Sequence, residues 1–115
     1  RGRYDRVSLF GYSFGGCLAL AAAARESAAG RPPASVVALS PAAEIGSEID
    51  ALAAVSDIDC PIAVVYGERD TTVDAAAVGE RVRERGGDVA VLSADHHFVG
   101  QTDAVAERVV EFLSE

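Results

Sequence analysis

A three-layer α/β architecture, with a mostly parallel sheet of about four strands flanked by helices, is the fold this sequence predicts. Two observations carry it. Four short segments are nearly continuous apolar runs instead of alternating ones, the pattern of strands buried on both faces. Segments of helical spacing fall between and after them, the order that builds a parallel sheet.

Taken in order, residues 6–10 (RVSLF) are short, β-prone and stop at Gly11, so they read as the first strand. From Gly16 to Arg25 the residues Leu18, Ala19, Ala22 and Ala23 fall on neighbouring helical turns, in a run rich in the best helix former. The GRPP of residues 30–33 breaks that helix. Residues 35–39 (SVVAL) form a second strand, ended by Ser40 and Pro41. The stretch 42–59 is mixed, with one short helical candidate around Glu48 to Val55. Pro61 opens a third strand, residues 62–66 (IAVVY), which ends at Gly67. Asp74 caps a helix with Val78 and Val82 on one face, closed by Gly86 and Gly87. Residues 89–92 (VAVL) are the fourth strand. The last helix places Val105, Val109 and Phe112 or Leu113 on one face, with Thr102 or Asp103 as its expected cap.

Composition narrows the function. The 115 residues are at most one domain, and with half of them hydrophobic the chain can build a core. No apolar run reaches the ~18 residues that cross a bilayer, and the first residues lack the pattern of a secretion signal. Met is absent, so the chain is expected to be trimmed or incomplete at its start. The formal charge is -8 and every basic residue is Arg, a balance that disfavours nucleic acid and anionic membrane as partners. Cys17 and Cys60 have neither zinc nor redox spacing and read as buried free thiols of a cytoplasmic protein.

The informative stretch is residues 9–16, LFGYSFGG. A phosphate loop needs Lys before its Ser or Thr, and the chain has no Lys. A dinucleotide fingerprint needs glycine at its third position, where Ser13 stands. A plain glycine-rich turn and a nucleophile held on a strand-to-helix corner remain, and the placement between a strand and a helix favours the nucleophile. There the serine is strained so that its hydroxyl projects, and Gly11 and Gly15 leave room for the turn. The helix that follows aims its first N–H groups where an oxyanion would develop.

A serine needs a base, and the base an orienting acid. The base candidates are His96 and His97, just after the fourth strand; the acid candidate is Asp70, just past the third. All lie beyond the carboxyl ends of strands expected to be parallel, where open α/β sheets build their sites. Asp74 is the second acid candidate, whereas Asp95 neighbours the base too closely in sequence to face it.

With these motifs, GYSFGG, VVYGERDTTVD and SADHHFVG, the chain resembles the α/β-hydrolase superfamily, and within it the small lidless hydrolases related to dienelactone hydrolases. The resemblance covers essentially the whole chain. It implies Ser13 as nucleophile, Asp70 as acid and His96 as base, with His97 where that family usually has an aromatic. It also implies the backbone N–H of Phe14 as one oxyanion donor, and no metal or organic cofactor. The expected reaction is cleavage of a small ester or related acyl bond through an acyl-enzyme. A non-catalytic α/β module kept for assembly or binding is the alternative.

The resemblance begins at the elbow strand, so residues 1–115 are expected to form a single partial domain, the C-terminal half of the superfamily's fold. Its first four strands and the second oxyanion donor would be absent. The elbow strand would then expose an apolar edge, to be covered by the missing half or by a second copy. The isolated chain should accordingly be weakly active or inactive. Residues 40–61 are too few for a lid domain, which implies an open site and a small-molecule acyl substrate.

Overall fold

A computed structural model of the chain describes residues 7–98 and 100–114. Its sheet contains β1 (Ser8–Tyr12), β2 (Ser35–Leu39), β5 (Ile62–Gly67) and β6 (Asp88–Leu92), in that spatial order and all parallel. The helices are α1 (Phe14–Ala28), α2 (Ala51–Val55), α3 (Ala75–Glu84) and α4 (Thr102–Leu113).

The continuous apolar runs are explained by two separate cores. On one face Val36 and Ala38 of β2 and Ile62 and Val64 of β5 pack with Leu20 of α1, Val55 of α2 and Val78 and Val82 of α3. On the other face Val37, Leu39, Ala63 and Val65 pack with Phe98 and with Val105 and Phe112 of α4. Strand neighbours point to opposite faces, so a strand covered on both sides has no position left for a polar residue. The three-layer α/β architecture is therefore the one the sequence implies.

Several boundaries differ from the sequence reading. β1 runs through Gly11 to Tyr12, because the strand ladder continues into the corner, where the Ser13 N–H donates to the Leu39 carbonyl at 2.9 Å. Arg6 lies outside the described residues. α1 starts at Phe14, not Gly16, and includes two glycines that propensity alone would leave out. A small antiparallel hairpin, β3 (Glu44–Ile45) and β4 (Ile49–Asp50), precedes α2. Two-residue strands have no period to detect. α2 begins only after Asp50, whose carboxylate accepts from the Leu52 and Ala53 N–H groups. Asp74 caps α3 as expected, accepting from Ala77. The cap of α4 is Gln101, without a side-chain bond; Thr102 is the first helical residue and Asp103 sits in the first turn, favourable to the helix dipole.

Cys17 and Cys60 are free and buried, and burial pushes both thiols up, keeping them protonated. β1 is an edge strand among the described elements, with Phe10 exposed on it and Val7 exposed just before it. No described helix is long and apolar enough to cross a membrane.

Candidate active site

Three strand ends converge on one rim of the sheet. β1 delivers Ser13, the loop after β5 delivers Asp70 and the loop after β6 delivers His96.

Ser13 has φ 60°, a left-handed conformation that costs a non-glycine residue roughly 1–3 kcal/mol. The surrounding bonds enforce it. Its N–H is the last rung toward β2, while its carbonyl accepts from Gly16 at 3.0 Å, Cys17 at 3.3 Å and Ala42 at 3.1 Å. The corner is therefore nailed both to α1 and to the chain leaving β2. A Cβ on Gly11 would fall onto the Gly15 carbonyl and within 2.8 Å of the Gly16 nitrogen, so glycine is required there. The expected need for Gly15 does not hold: a Cβ at that position meets nothing within 4 Å, because α1 has already begun and the bond points outward. Gly16 is the second crowded position, against Pro41 at 3.0 Å. As a first-turn residue of α1, Phe14 has a backbone N–H with no intrahelical acceptor, beside the serine.

Asp70 is held by its own turn. Its N–H donates to the Gly67 carbonyl at 3.0 Å, and its Oδ1 accepts from Thr72 at 2.9 Å and Val73 at 3.2 Å. That leaves Oδ2 to accept from His96 Nδ1 at 2.8 Å. The two side chains are only 2% and 5% exposed. Burial by itself raises the Asp70 pKa, but the hydrogen bonds from His96, Thr72 and Val73 outweigh it and hold the carboxyl below its ordinary value. With its proton on Nδ1, His96 turns the Nε2 lone pair to Ser13, whose Oγ lies 2.9 Å away.

The choice between the two histidines follows from this geometry. His96 joins Ser13 to Asp70, whereas His97 meets the Tyr12 hydroxyl at 3.1 Å. Asp74 is occupied as the α3 cap, and Asp95 accepts from the His97 N–H.

Two residues that sequence reasoning passed over brace the His96 loop. A Cβ on Gly67 would fall on the Ala94 carbonyl, so β5 must end in glycine for that loop to lie against it. Arg69 then ties the two loops together, its N–H on the Ala94 carbonyl at 3.0 Å and its guanidinium on Ser93 Oγ and O at 3.0 and 3.1 Å. Gly67 had a visible signal, a glycine directly at a strand end; Arg69 had none.

Comparison with known proteins gives one family and many structures. A model of the thioesterase domain matches residues 4–110. No curated protein matches the chain. Among solved structures, an enol-lactonase from Burkholderia xenovorans superposes with a TM-score of 0.78 at 19% identity, covering 98% of this chain and 67% of that one. An esterase from Pyrococcus furiosus gives 0.75 at 21% identity, covering 95% of this chain and 53% of its own. Dipeptidyl peptidase 4 of Porphyromonas gingivalis gives 0.78 at 19% identity, covering 96% of this chain but 19% of its own length. These likenesses establish the fold, and the chain spans two thirds or less of the lengths of most of these structures.

Proposed function

The chain belongs to the thioesterase-domain family of α/β hydrolases, and from that premise we propose that it is a serine hydrolase cleaving a small ester or thioester. Ser13 is the nucleophile, His96 the base, and Asp70 the group that orients and stabilises the imidazole. The Ser13 hydroxyl gives its proton to His96 Nε2 as Oγ attacks the acyl carbon, and the carbonyl π pair moves onto oxygen. The Phe14 N–H donates to that oxyanion. When the intermediate collapses, the bond to the leaving oxygen or sulfur breaks and His96 returns the proton to it. Water, deprotonated by the same imidazole, then releases the acid and restores Ser13.

One observation carries this reading: an unbroken relay from Ser13 Oγ to Nε2 at 2.9 Å and from Nδ1 to Oδ2 at 2.8 Å, buried at its acidic end. A structural ion pair under the sheet rim would have no reason to end on a strained serine.

We propose that a second oxyanion donor comes from polypeptide paired along the β1 edge that the described elements leave open; loss of one such donor costs ~3 kcal/mol, a hundredfold or more in rate. The 115 residues alone are thus proposed to be weak or inactive catalysts. Turnover of a small activated ester and of its thioester counterpart tests the assignment, in the isolated chain and with the edge covered. Activity that appears or rises on completion and is abolished by Ser13→Ala supports it; activity that survives Ser13→Ala removes it.

A further inference from the structure

Directly before the strained serine, at the end of β1, stands a tyrosine that the mechanism above does not use. Tyr12 is the last residue of β1, in register with Leu39, so its side chain leaves the sheet on the face opposite Gly11. It is 38% exposed, yet its hydroxyl is fully engaged. Tyr12 Oη donates to the backbone carbonyl of His96 at 2.9 Å, and His97 Nδ1 lies 3.1 Å from the same oxygen. A phenol has one proton, so with that proton on His96 the second contact requires His97 to donate from Nδ1. The ring itself sits 5.3 Å from the His96 imidazole, tilted by 32°. His97 meets His96 edge-on at 5.2 Å. Burial first, then the Asp70 and Asp95 charges, push the Tyr12 hydroxyl up, so it stays protonated and able to donate.

We infer that Tyr12 is a positioning residue for His96, fixing the base relative to the serine from the serine's own strand. Arg69 holds the start of the loop, at Ser93 and Ala94, against the β5 end. Beyond that point the His96 ring is held on the β5 side by Asp70 and on the β1 side by Ser13. Tyr12 adds a backbone tether on the β1 side, one peptide away from the nucleophile, so the distance from Oγ to Nε2 is set by covalent neighbours of both groups. Its ring also lies within reach of the imidazole, 5.3 Å between centroids, close enough for the aromatic quadrupole to act on the cation formed during attack. The inference rests on the proposed roles of Ser13 and His96, but the tether can be tested without them.

The test is solvent exchange of the His96 ring proton, followed by NMR in the whole chain, alongside the rate of covalent labelling by a fluorophosphonate. Tyr12→Phe removes one oxygen and keeps the ring. It should raise exchange at the His96 Nδ1 proton about five- to tenfold, the effect of one hydrogen bond. Exchange at the Val64 amide, in mid-β5, should stay at its wild-type rate. Labelling should slow by a similar factor, and in an active form kcat should fall with KM unchanged. Tyr12→Leu, which also loses the ring, should exceed Tyr12→Phe in each readout. Wild-type exchange at His96 in Tyr12→Phe overturns the inference, and so does a rise shared equally by Val64. Failure of the triad is a separate result: Ser13→Ala would label as fast as wild type while the exchange measurement still decides the tether.

Discussion

Asp70→Asn is the most discriminating single change. The two backbone donors on Oδ1, Thr72 at 2.9 Å and Val73 at 3.2 Å, accept no substitute for an oxygen, so the asparagine amide must keep its carbonyl there. Its NH2 then occupies the place of Oδ2, 2.8 Å from His96 Nδ1. Two donors cannot share that contact, and the imidazole moves its proton to Nε2. Nε2 now points a hydrogen at Ser13 Oγ and has no lone pair to receive one. The expected loss is the one a wrong tautomer produces, roughly 10⁴-fold, or about 5 kcal/mol of transition-state stabilisation. The assay is the second-order rate of fluorophosphonate labelling at Ser13, comparing wild type and variant in the same polypeptide context so that any missing oxyanion donor affects both equally. A variant that labels within about tenfold of wild type would refute the argument that Asp70 sets the tautomer.

The elbow glycines should behave oppositely, against the expectation from the motif alone. Gly11→Ala forces a Cβ into the Gly15 carbonyl and should cost about 3 kcal/mol or more in urea unfolding, whereas Gly15→Ala should be neutral or stabilising by up to about 1 kcal/mol. Equal effects would contradict the placement of the α1 start. Because the Asp70 carboxyl is held below its ordinary value, its contribution to stability is complete above about pH 3.9 and is lost as pH falls through the lower folded value. Thermal melts from about pH 6 to about pH 2 should therefore decline more gently in Asp70→Asn than in wild type. Parallel declines would show that the carboxyl is not stabilised in its charged form.

How much of this could be read beforehand depends on the length of the signal. The strand cores at 35–39 and 62–66 stood out because burial on both faces leaves uninterrupted apolar runs, and β2 has the expected bounds. The β3–β4 hairpin is too short for any periodicity, and the first turn of α1 takes in two glycines because the Ser13 carbonyl bonds override helix propensity. At the site, Ser13 and Asp70 were visible as residues at strand ends. Between the two histidines only the family resemblance chose His96; residue spacing left both open, since they are consecutive and the loop conformation sends one inward and the other toward Tyr12. The roles of Arg69 and Gly67 arise from the approach of two loops that lie far apart in sequence. The motifs pointed to the superfamily and, within it, to dienelactone-hydrolase relatives; the family that matches is the thioesterase domain.

The central claim is that the strained corner residue is the group that carries the acyl chain. Its most direct test is a crystal structure of the chain after reaction with a fluorophosphonate. The account predicts a single adduct on Ser13 Oγ, with the phosphoryl oxygen within hydrogen-bond distance of the Phe14 N–H and His96 still bound to Asp70. An unmodified Ser13 in protein labelled at another residue, or an adduct whose oxygen faces away from the start of α1, would contradict it.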